Sequence, residues 1–229
     1  MTRFTRLTAP TITAALLALA LVGCTAPVDD AAPSNPASAE EEQTETEAAP
    51  QGDGTTADWA NPVTTPGDLL VSATGDGFQV DIYQVGVTEA TKTGNFANPD
   101  TNEPIIAVGA EIVFVNYVFT NTGDADIPLS YSLVEINARY ADWPYLQGMD
   151  SVTDFALDEQ MEINRSGLGT GGGDAPFIWK PGTSFSYGQN FLYQASSPID
   201  FEAGLTPALD NGDLNHDLHQ EVTVSTTIK

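Results

Sequence analysis

The sequence is poor in cysteine and in basic residues, and both shortages narrow the possible functions. Its single cysteine cannot form an intramolecular disulfide, so the folded part must be stable on its own core, without the usual support of small exported domains. Only 7 Lys and Arg stand against 32 Asp and Glu, which gives a net charge of −25. Phosphate backbones repel such a chain, so we expect no nucleic-acid partner.

Long apolar runs are also scarce, and the clearest one lies near the start of the sequence. The stretch from Ile12 to Val22 is rich in Ala, Leu and Val, and it follows the positively charged Arg3 and Arg6. It is shorter than the roughly 20 apolar residues that a membrane-spanning helix needs. Its length and its basic flank are typical of a signal peptide. We therefore predict that residues 1–23 form a signal peptide.

The four residues Leu21-Val22-Gly23-Cys24 follow directly and include the only cysteine. They resemble the lipobox of bacterial lipoproteins, in which Leu21, Val22 and Gly23 would be recognised by the signal peptidase. The resemblance implies cleavage before Cys24 and lipidation of this residue with fatty acyl chains such as palmitate. Two or three acyl chains anchor a protein stably where one is marginal. We therefore expect attachment to the cell membrane on its extracytoplasmic face.

Residues 24–67 have a different composition, dominated by Ala, Pro, Ser, Thr, Asp and Glu, with no Lys or Arg. Such a segment cannot bury enough apolar surface to offset the entropy lost on ordering, and its carboxylates repel one another. We predict an acidic, disordered tether over this range. Trp59 is its one large aromatic residue, and the sequence leaves open whether Trp59 docks on the domain that follows.

From Asp68 onward the apolar pattern becomes that of β-strands. Phe78 to Ile82 alternates apolar and polar residues, and Ile112 to Thr120 is apolar on both faces, as in a central strand. Further strands are expected at Leu129 to Tyr140, Phe177 to Trp179, Phe185 to Tyr193 and Glu221 to Ile228. About seven to nine strands separated by turn residues predict an all-β, antiparallel, immunoglobulin-like β-sandwich over residues 68–229.

One long insertion, from Trp143 to Pro176, interrupts the strands. Within it, Val152 to Met161 is predicted to form the only short helix, with Ser151 as its N-cap. The glycine-rich run Gly167 to Gly173 lacks the Gly-Lys-Ser/Thr ending of a phosphate-binding loop. We expect that run to be a flexible loop.

The strand order and two turns carry a family resemblance. A long strand from Ile112 ends in the turn Asn121-Thr122-Gly123, and Lys180-Pro181-Gly182 precedes a late aromatic strand. Residues 70–228 resemble the immunoglobulin-like, immunoprotective extracellular-type domain of uncharacterised bacterial lipoproteins, apart from the long insertion. The resemblance brings no catalytic residues. It implies an extracytoplasmic binding or scaffolding module.

The polar segment 210–219 is the best candidate for a metal site. Asp213, Asn215 and Asp217 place oxygen ligands at alternate positions, as calcium loops do. An EF-hand reading fails, because Leu218 and Val224 stand where it needs Gly and Glu. An irregular calcium site and a simple polar turn before the last strand both remain open.

The same segment holds His216 and His219, the only two histidines of the sequence. Three residues apart, they could share a face and bind zinc, with a third ligand from elsewhere. Because histidine is confined to this segment and no Gly-x-Ser-x-Gly elbow is present, we expect no enzyme.

Two functions therefore stay open. The first is a lipid-anchored binding or scaffolding protein that carries no cofactor and contacts an unknown cell-envelope protein or ligand. The second is a protein that binds calcium, zinc or a small solute through the segment 210–219. An envelope hydrolase would be a third class, but no motif supports it.

Overall fold

The computed structural model describes residues 55–229. The predicted signal peptide, the lipobox residues Leu21, Val22, Gly23 and Cys24, and most of the predicted tether lie outside the described residues. Within residues 55–229, no helix is long and apolar enough to cross a membrane.

Nine strands and one short α-helix make up the described part of the chain. They are β1 (Thr55–Thr56), β2 (Asp68–Thr74), β3 (Phe78–Glu89), β4 (Glu111–Asn121), β5 (Ile127–Tyr140), α1 (Phe155–Gln160), β6 (Phe177–Trp179), β7 (Thr183–Leu192), β8 (Pro198–Pro207) and β9 (Gln220–Thr227). A 3-10 turn, His216–Leu218, precedes β9.

The strands form two sheets. The first sheet has the order β1-β7-β4-β3-β2, and the second has the order β6-β5-β8-β9. All neighbouring strands are antiparallel except β1, which runs parallel to β7. The predicted all-β sandwich is confirmed.

The core lies between the sheets and follows from the alternation of side chains along each strand. β4 supplies Val113, Val115, Tyr117 and Phe119 to the core cluster, and Phe119 stacks on a ring of β7 with 4.8 Å between centroids. Opposite them lie the inward residues of the second sheet: Val134, Ile199, Phe201, Ala203 and Leu205. The odd-numbered residues of β4 thus face the second sheet, and its even-numbered residues face outward.

The outer face of the first sheet is covered by the long insertion. Ile112 and Phe114 of β4 pack against Val152, Leu157 and Ile163 in a second, smaller apolar cluster. Burial of these side chains supplies the apolar contact that the insertion needs in order to hold one conformation. The central strand is therefore covered on both faces.

The helix in this insertion is shorter than expected and begins later. It spans Phe155–Gln160, and Asp154 caps it by accepting a hydrogen bond from the Ala156 amide at 3.1 Å. Val152 is not helical because the side chain of Asn190 bonds both its N–H, at 2.8 Å, and its carbonyl, at 3.0 Å. The predicted start at Val152, with Ser151 as the cap, is wrong because this long-range contact holds the chain against the sheet.

The folded domain extends further towards the N-terminus than the predicted boundary at Asp68. Trp59 is only 6% exposed, lies 5.6 Å from the ring of Phe177 and 5.3 Å from that of Phe185, and donates from Nε1 to the Ile178 carbonyl at 2.9 Å. Residues 55–67 therefore belong to the domain and not to the tether. One buried indole outweighs the polar composition around it.

After Trp59 the chain crosses the outer face of the first sheet to reach β2 on its far edge. The amide of Thr64 donates to the Ser186 hydroxyl at 2.9 Å, and the side chain of Asn116 donates to the Thr64 carbonyl at 2.7 Å. Residues 61–67 thus form a strap over β7 and β4, and we call them the strap below.

The glycine-rich run packs against the chain just before the strap. The Gly169 amide donates to the Trp59 carbonyl at 2.9 Å, and a Cβ on Gly172 would lie 2.6 Å from that same carbonyl oxygen. Side chains larger than hydrogen would clash there. The expectation of a flexible loop is corrected: the glycines permit close backbone packing.

Candidate binding surface

The predicted metal segment forms a turn and a 3-10 turn between β8 and β9. The Asp213 amide donates to the Asn211 side-chain oxygen at 3.1 Å, and the Asn211 side chain donates to the Asp213 carboxylate at 2.7 Å. Asn215 precedes the 3-10 turn, and its amide donates to the Pro207 carbonyl at 2.8 Å. Asp213 and Asn215 therefore serve the local turn, as polar turn residues commonly do.

The remaining predicted ligands do not converge with them. His216 and Asp217 lie exposed in the 3-10 turn, while His219 ends it with Nδ1 2.8 Å from the Thr206 hydroxyl oxygen. In residues 55–229, no three His, Cys, Asp or Glu side chains are grouped so that they could hold a metal ion. The described residues therefore contain no group of charged ligands that would support the calcium and zinc predictions.

A different surface stands out, on the outer face of the second sheet. Because inward residues alternate with outward ones along β5, β8 and β9, carboxylates on these three strands share that face. We call this surface, formed by Glu135, Asp200, Glu202 and Glu221, the acidic face. Among the described residues, none of these carboxylates takes part in an ion pair. Arg139 lies on the same face, opposite Asp200 in the strand register, and donates to the Tyr145 carbonyl. Glu135, Glu202 and Glu221 remain without an ion-pair partner among the described residues.

A bulge in β5 makes a depression in the acidic face. Leu129 pairs with Pro207, but the next pair is Val134 with Leu205, so the intervening residues of β5 loop away from β8. Leu133 within this bulge has a φ of 56°, a backbone conformation that is uncommon outside glycine. The gap opens a depression of about 560 Å³.

The depression has a polar floor and a carboxylate rim. Tyr187, which belongs to the first sheet, reaches the floor through the gap and donates its hydroxyl to the Val134 carbonyl at 3.0 Å. Burial, and then the carboxylate of Glu135, raises the pKa of Tyr187 well above its usual value. Tyr187 is therefore a neutral hydrogen-bond donor at any physiological pH.

One predicted site residue belongs to this depression. His219 lies on its rim together with Glu135, Glu202 and Glu221. Gly204 lies beneath the imidazole, and a Cβ there would make van der Waals contact with Cε1 at 3.4 Å. The sequence interpretation missed the three glutamates, although the alternation of Glu202 along β8 and of Glu221 along β9 was a usable signal.

The arrangement is suited to attracting cations. Three carboxylates and a neutral phenol surround an open depression, and no described ion pair offsets their charge. Charged surfaces of one sign raise the local concentration of oppositely charged ligands and speed their association. The geometry thus favours binding of a positively charged group.

Comparison with known proteins gives structural neighbours only. Neither a protein-family model nor a curated protein matches this chain. A crystal structure from Bacillus subtilis, named as a "putative lipoprotein (ycdA)", is 17% identical with a TM-score of 0.38, and the match covers 70% of this chain and 38% of that one. A functionally unknown protein from Listeria monocytogenes is 12% identical with the same TM-score, and its match covers 72% of this chain and 85% of that one. At these values we transfer no function from either protein.

Proposed function

We propose that this protein is a lipid-anchored, extracytoplasmic binding module without catalytic activity, and that the second sheet is its binding side. The observation that supports a binding role is that the outer face of one sheet is covered and that of the other is not. The strap and the insertion pack on the outer face of the first sheet, whereas the acidic face of the second sheet is open to solvent. An open surface with charge of one sign attracts partners of the opposite charge.

The structure shows at which end the chain enters the domain. Thr55 of β1 pairs with Thr183 at the start of β7, so the chain enters the domain at the end that also carries the segment 210–219. With a lipid on Cys24, the domain is joined to the membrane through residues 25–54, which lead into that end. The acidic face runs along the side of the domain, where it is accessible to another protein. Repulsion from anionic lipids also keeps a chain of charge −25 off the bare bilayer.

The anchor is tested by comparing the wild type with Cys24→Ala in a bacterial host, using membrane fractionation and intact mass. We expect the wild type to partition with membranes and to carry the extra mass of a diacylglycerol, and we expect the variant to lose both. Thr25→Ala is the matched control, because it changes the neighbouring residue and leaves the thiol in place. Equal behaviour of wild type and Cys24→Ala would refute the anchor.

The proposed absence of catalytic activity is tested separately. The purified chain is assayed against a broad panel of ester, peptide, glycoside and phosphate substrates. We expect no turnover above that of a heat-denatured sample. Turnover that is lost on heating would contradict the proposal and would direct attention to the carboxylates of the acidic face.

A further inference from the structure

The two sheets have four edges, and three of them are protected in known ways. β1 has two residues and β6 has three, so neither offers a long template for another strand. β2 carries a register shift between Leu69 and Val71, and bulges of this kind discourage edge pairing. β9 differs from all three: it has eight residues and pairs with β8 without any shift, from Pro198 opposite Thr227 to Leu205 opposite Gln220.

The outer edge of β9 is not paired with another strand in the described part of the chain. Its strand pairing is with β8 only, and no further backbone hydrogen bond within residues 55–229 reaches Gln220–Thr227. β2 lies alongside but is not paired with it. An edge of this kind leaves alternate N–H and carbonyl groups available to an added strand.

The composition of β9 lacks the usual protection as well. The strand QEVTVSTT contains no proline, lysine or arginine, and Glu221 is its only charged residue. Its inward-facing Val222 and Val224 are only partly buried, although their partners on β8, Ala203 and Phe201, are each 1% exposed. A strand added beside β9 would bury the exposed parts of Val222 and Val224.

Both ends of β9 are fixed to the first sheet. The side chain of Gln220 accepts a hydrogen bond from the Asp76 amide at 3.0 Å. Beyond the other end, Gln84 exchanges two hydrogen bonds with the backbone of Lys229, at 2.8 and 2.9 Å. The edge is therefore held in an extended form before any partner arrives, which lowers the entropic cost of binding.

The carboxylates near β9 indicate which kind of strand would bind at its edge. On the outward side of β9, Glu221 and the neighbouring Glu202 of β8 are both without an ion pair among the described residues. A second copy of this chain would bring another net charge of −25 to the same edge. A strand with Lys or Arg on its outward side would instead place opposite charges across from Glu221, which stabilises strand pairs.

We propose that the free edge of β9 takes up an extended, basic segment of a partner protein as an added strand of the second sheet. Main-chain hydrogen bonds would supply affinity, and the acidic face would select for Lys and Arg. This inference rests on the proposed binding role. Its experiment is carried out in solution, so a failure of membrane anchoring would leave its result unaffected.

The test uses the 15N-labelled full chain and a ten-residue peptide of alternating Lys and Val, with a peptide of alternating Glu and Val as the charge control. Amide hydrogen exchange is followed residue by residue. We expect the basic peptide to slow exchange about tenfold or more at alternate residues of β9, an effect of the size of one tenfold step in binding constant. The acidic peptide should leave these amides unchanged.

Two variants separate edge pairing from general attraction. Thr223→Lys places a positive charge on β9 itself, and Asn137→Lys places the same charge on the outward side of β5, two strands away. We expect Thr223→Lys to abolish the protection and Asn137→Lys to retain most of it. Equal effects of the two variants, or protection spread evenly over the sheet, would overturn the proposal. Concentration-dependent protection of β9 without peptide would also overturn it, because a second copy would then occupy the edge.

Discussion

The outer faces of the two sheets both carry polar residues, but those residues are buried on the first sheet and exposed on the second. On the first sheet, Asn116 and Ser186 are fully buried beneath the strap and bonded to Thr64. On the second sheet, Glu135 and Glu221 are exposed. Alternation along a strand indicates which side chains share a face, but it cannot show whether another segment covers that face.

The charge of the polar side chains is consistent with burial of the first face and exposure of the second. Most buried polar residues of the first sheet are neutral amides and hydroxyls, whose hydrogen bonds can be met by backbone groups of a covering segment. The exception is Asp81, whose carboxylate accepts hydrogen bonds from Ser72 and Gln79. The second sheet carries charged carboxylates, which lose much solvation if they are covered without a partner. The comparison therefore predicts that substitutions on the first sheet alter stability and that those on the second alter binding.

The largest expected effect on stability comes from removing the side chain of Trp59, which is buried just before the strap. Trp59→Ala removes a buried indole and its contacts with Phe177 and Phe185, and we expect it to lower the free energy of unfolding by about 3–5 kcal/mol. Leu146→Ala is the control, because Leu146 is 98% exposed. Urea denaturation measures both. A loss for Trp59→Ala no greater than that for the control would mean that residues 55–67 are not part of the cooperative fold.

A matched pair of asparagines compares the two faces directly. Asn116→Ala removes the bond to the Thr64 carbonyl in a buried site, and we expect a cost of about 1–3 kcal/mol. Asn137→Ala lies on the exposed outer face of the second sheet, and we expect a change within about 0.5 kcal/mol. Equal losses in thermal or urea unfolding would break the comparison.

The cap of α1 gives a smaller, pH-dependent effect. The hydrogen bond from Thr91, together with the Ala156 amide and Lys92, lowers the pKa of Asp154 in the folded state. When the pKa of a carboxyl is lower in the folded state, its charged form stabilises the protein at pH values above the unfolded-state pKa. This stabilisation is lost as the pH falls through the folded-state pKa. Asp154→Ala should therefore be less stable than the wild type at pH 7, and the difference should narrow below about pH 4. A difference that stays constant from pH 7 to acid would contradict this account.

The smallest effect on stability is expected on the acidic face. Glu202→Gln and Glu221→Gln together should change the free energy of unfolding by less than about 0.5 kcal/mol, because neither carboxylate has an ion pair among the described residues. The same double variant should weaken binding of the Lys/Val peptide in calorimetry, and added salt should reduce the remaining binding. A stability loss larger than that of Asn116→Ala would reverse the proposed roles of the two faces.

The sandwich could be predicted from sequence because its strands carry strong local patterns. Ile112 to Thr120 and Leu129 to Tyr140 were expected as strands and fall within β4 and β5. β8 was missed, although Ile199, Phe201, Ala203 and Leu205 alternate correctly. Pro198, Gly204 and Pro207 in the same stretch are typical of turns, and they obscured the pattern.

The cover of the first sheet and the depression in the second could not be predicted from sequence, for physical reasons. The strap and Val152 are held by partners far away in sequence, Ser186 and Asn190 respectively, so local composition carries no sign of either contact. The depression in the acidic face depends on the bulge in β5, a matter of register between distant strands. The segment 210–219 attracted attention because its polar residues are consecutive, and consecutive polar residues more often form turns than ligand sets.

The most direct test of the account is carboxyl labelling of the native full chain with a carbodiimide and a small amine, read by mass spectrometry. The central claim is that the outer face of the first sheet is closed and that of the second is open. We predict rapid labelling of Glu135 and Glu221 and much slower labelling of Asp81, a buried carboxylate on the first sheet that Ser72 and Gln79 hydrogen-bond. If Asp81 were labelled as fast as Glu135 and Glu221, the first sheet would be open as well and the claim would be contradicted.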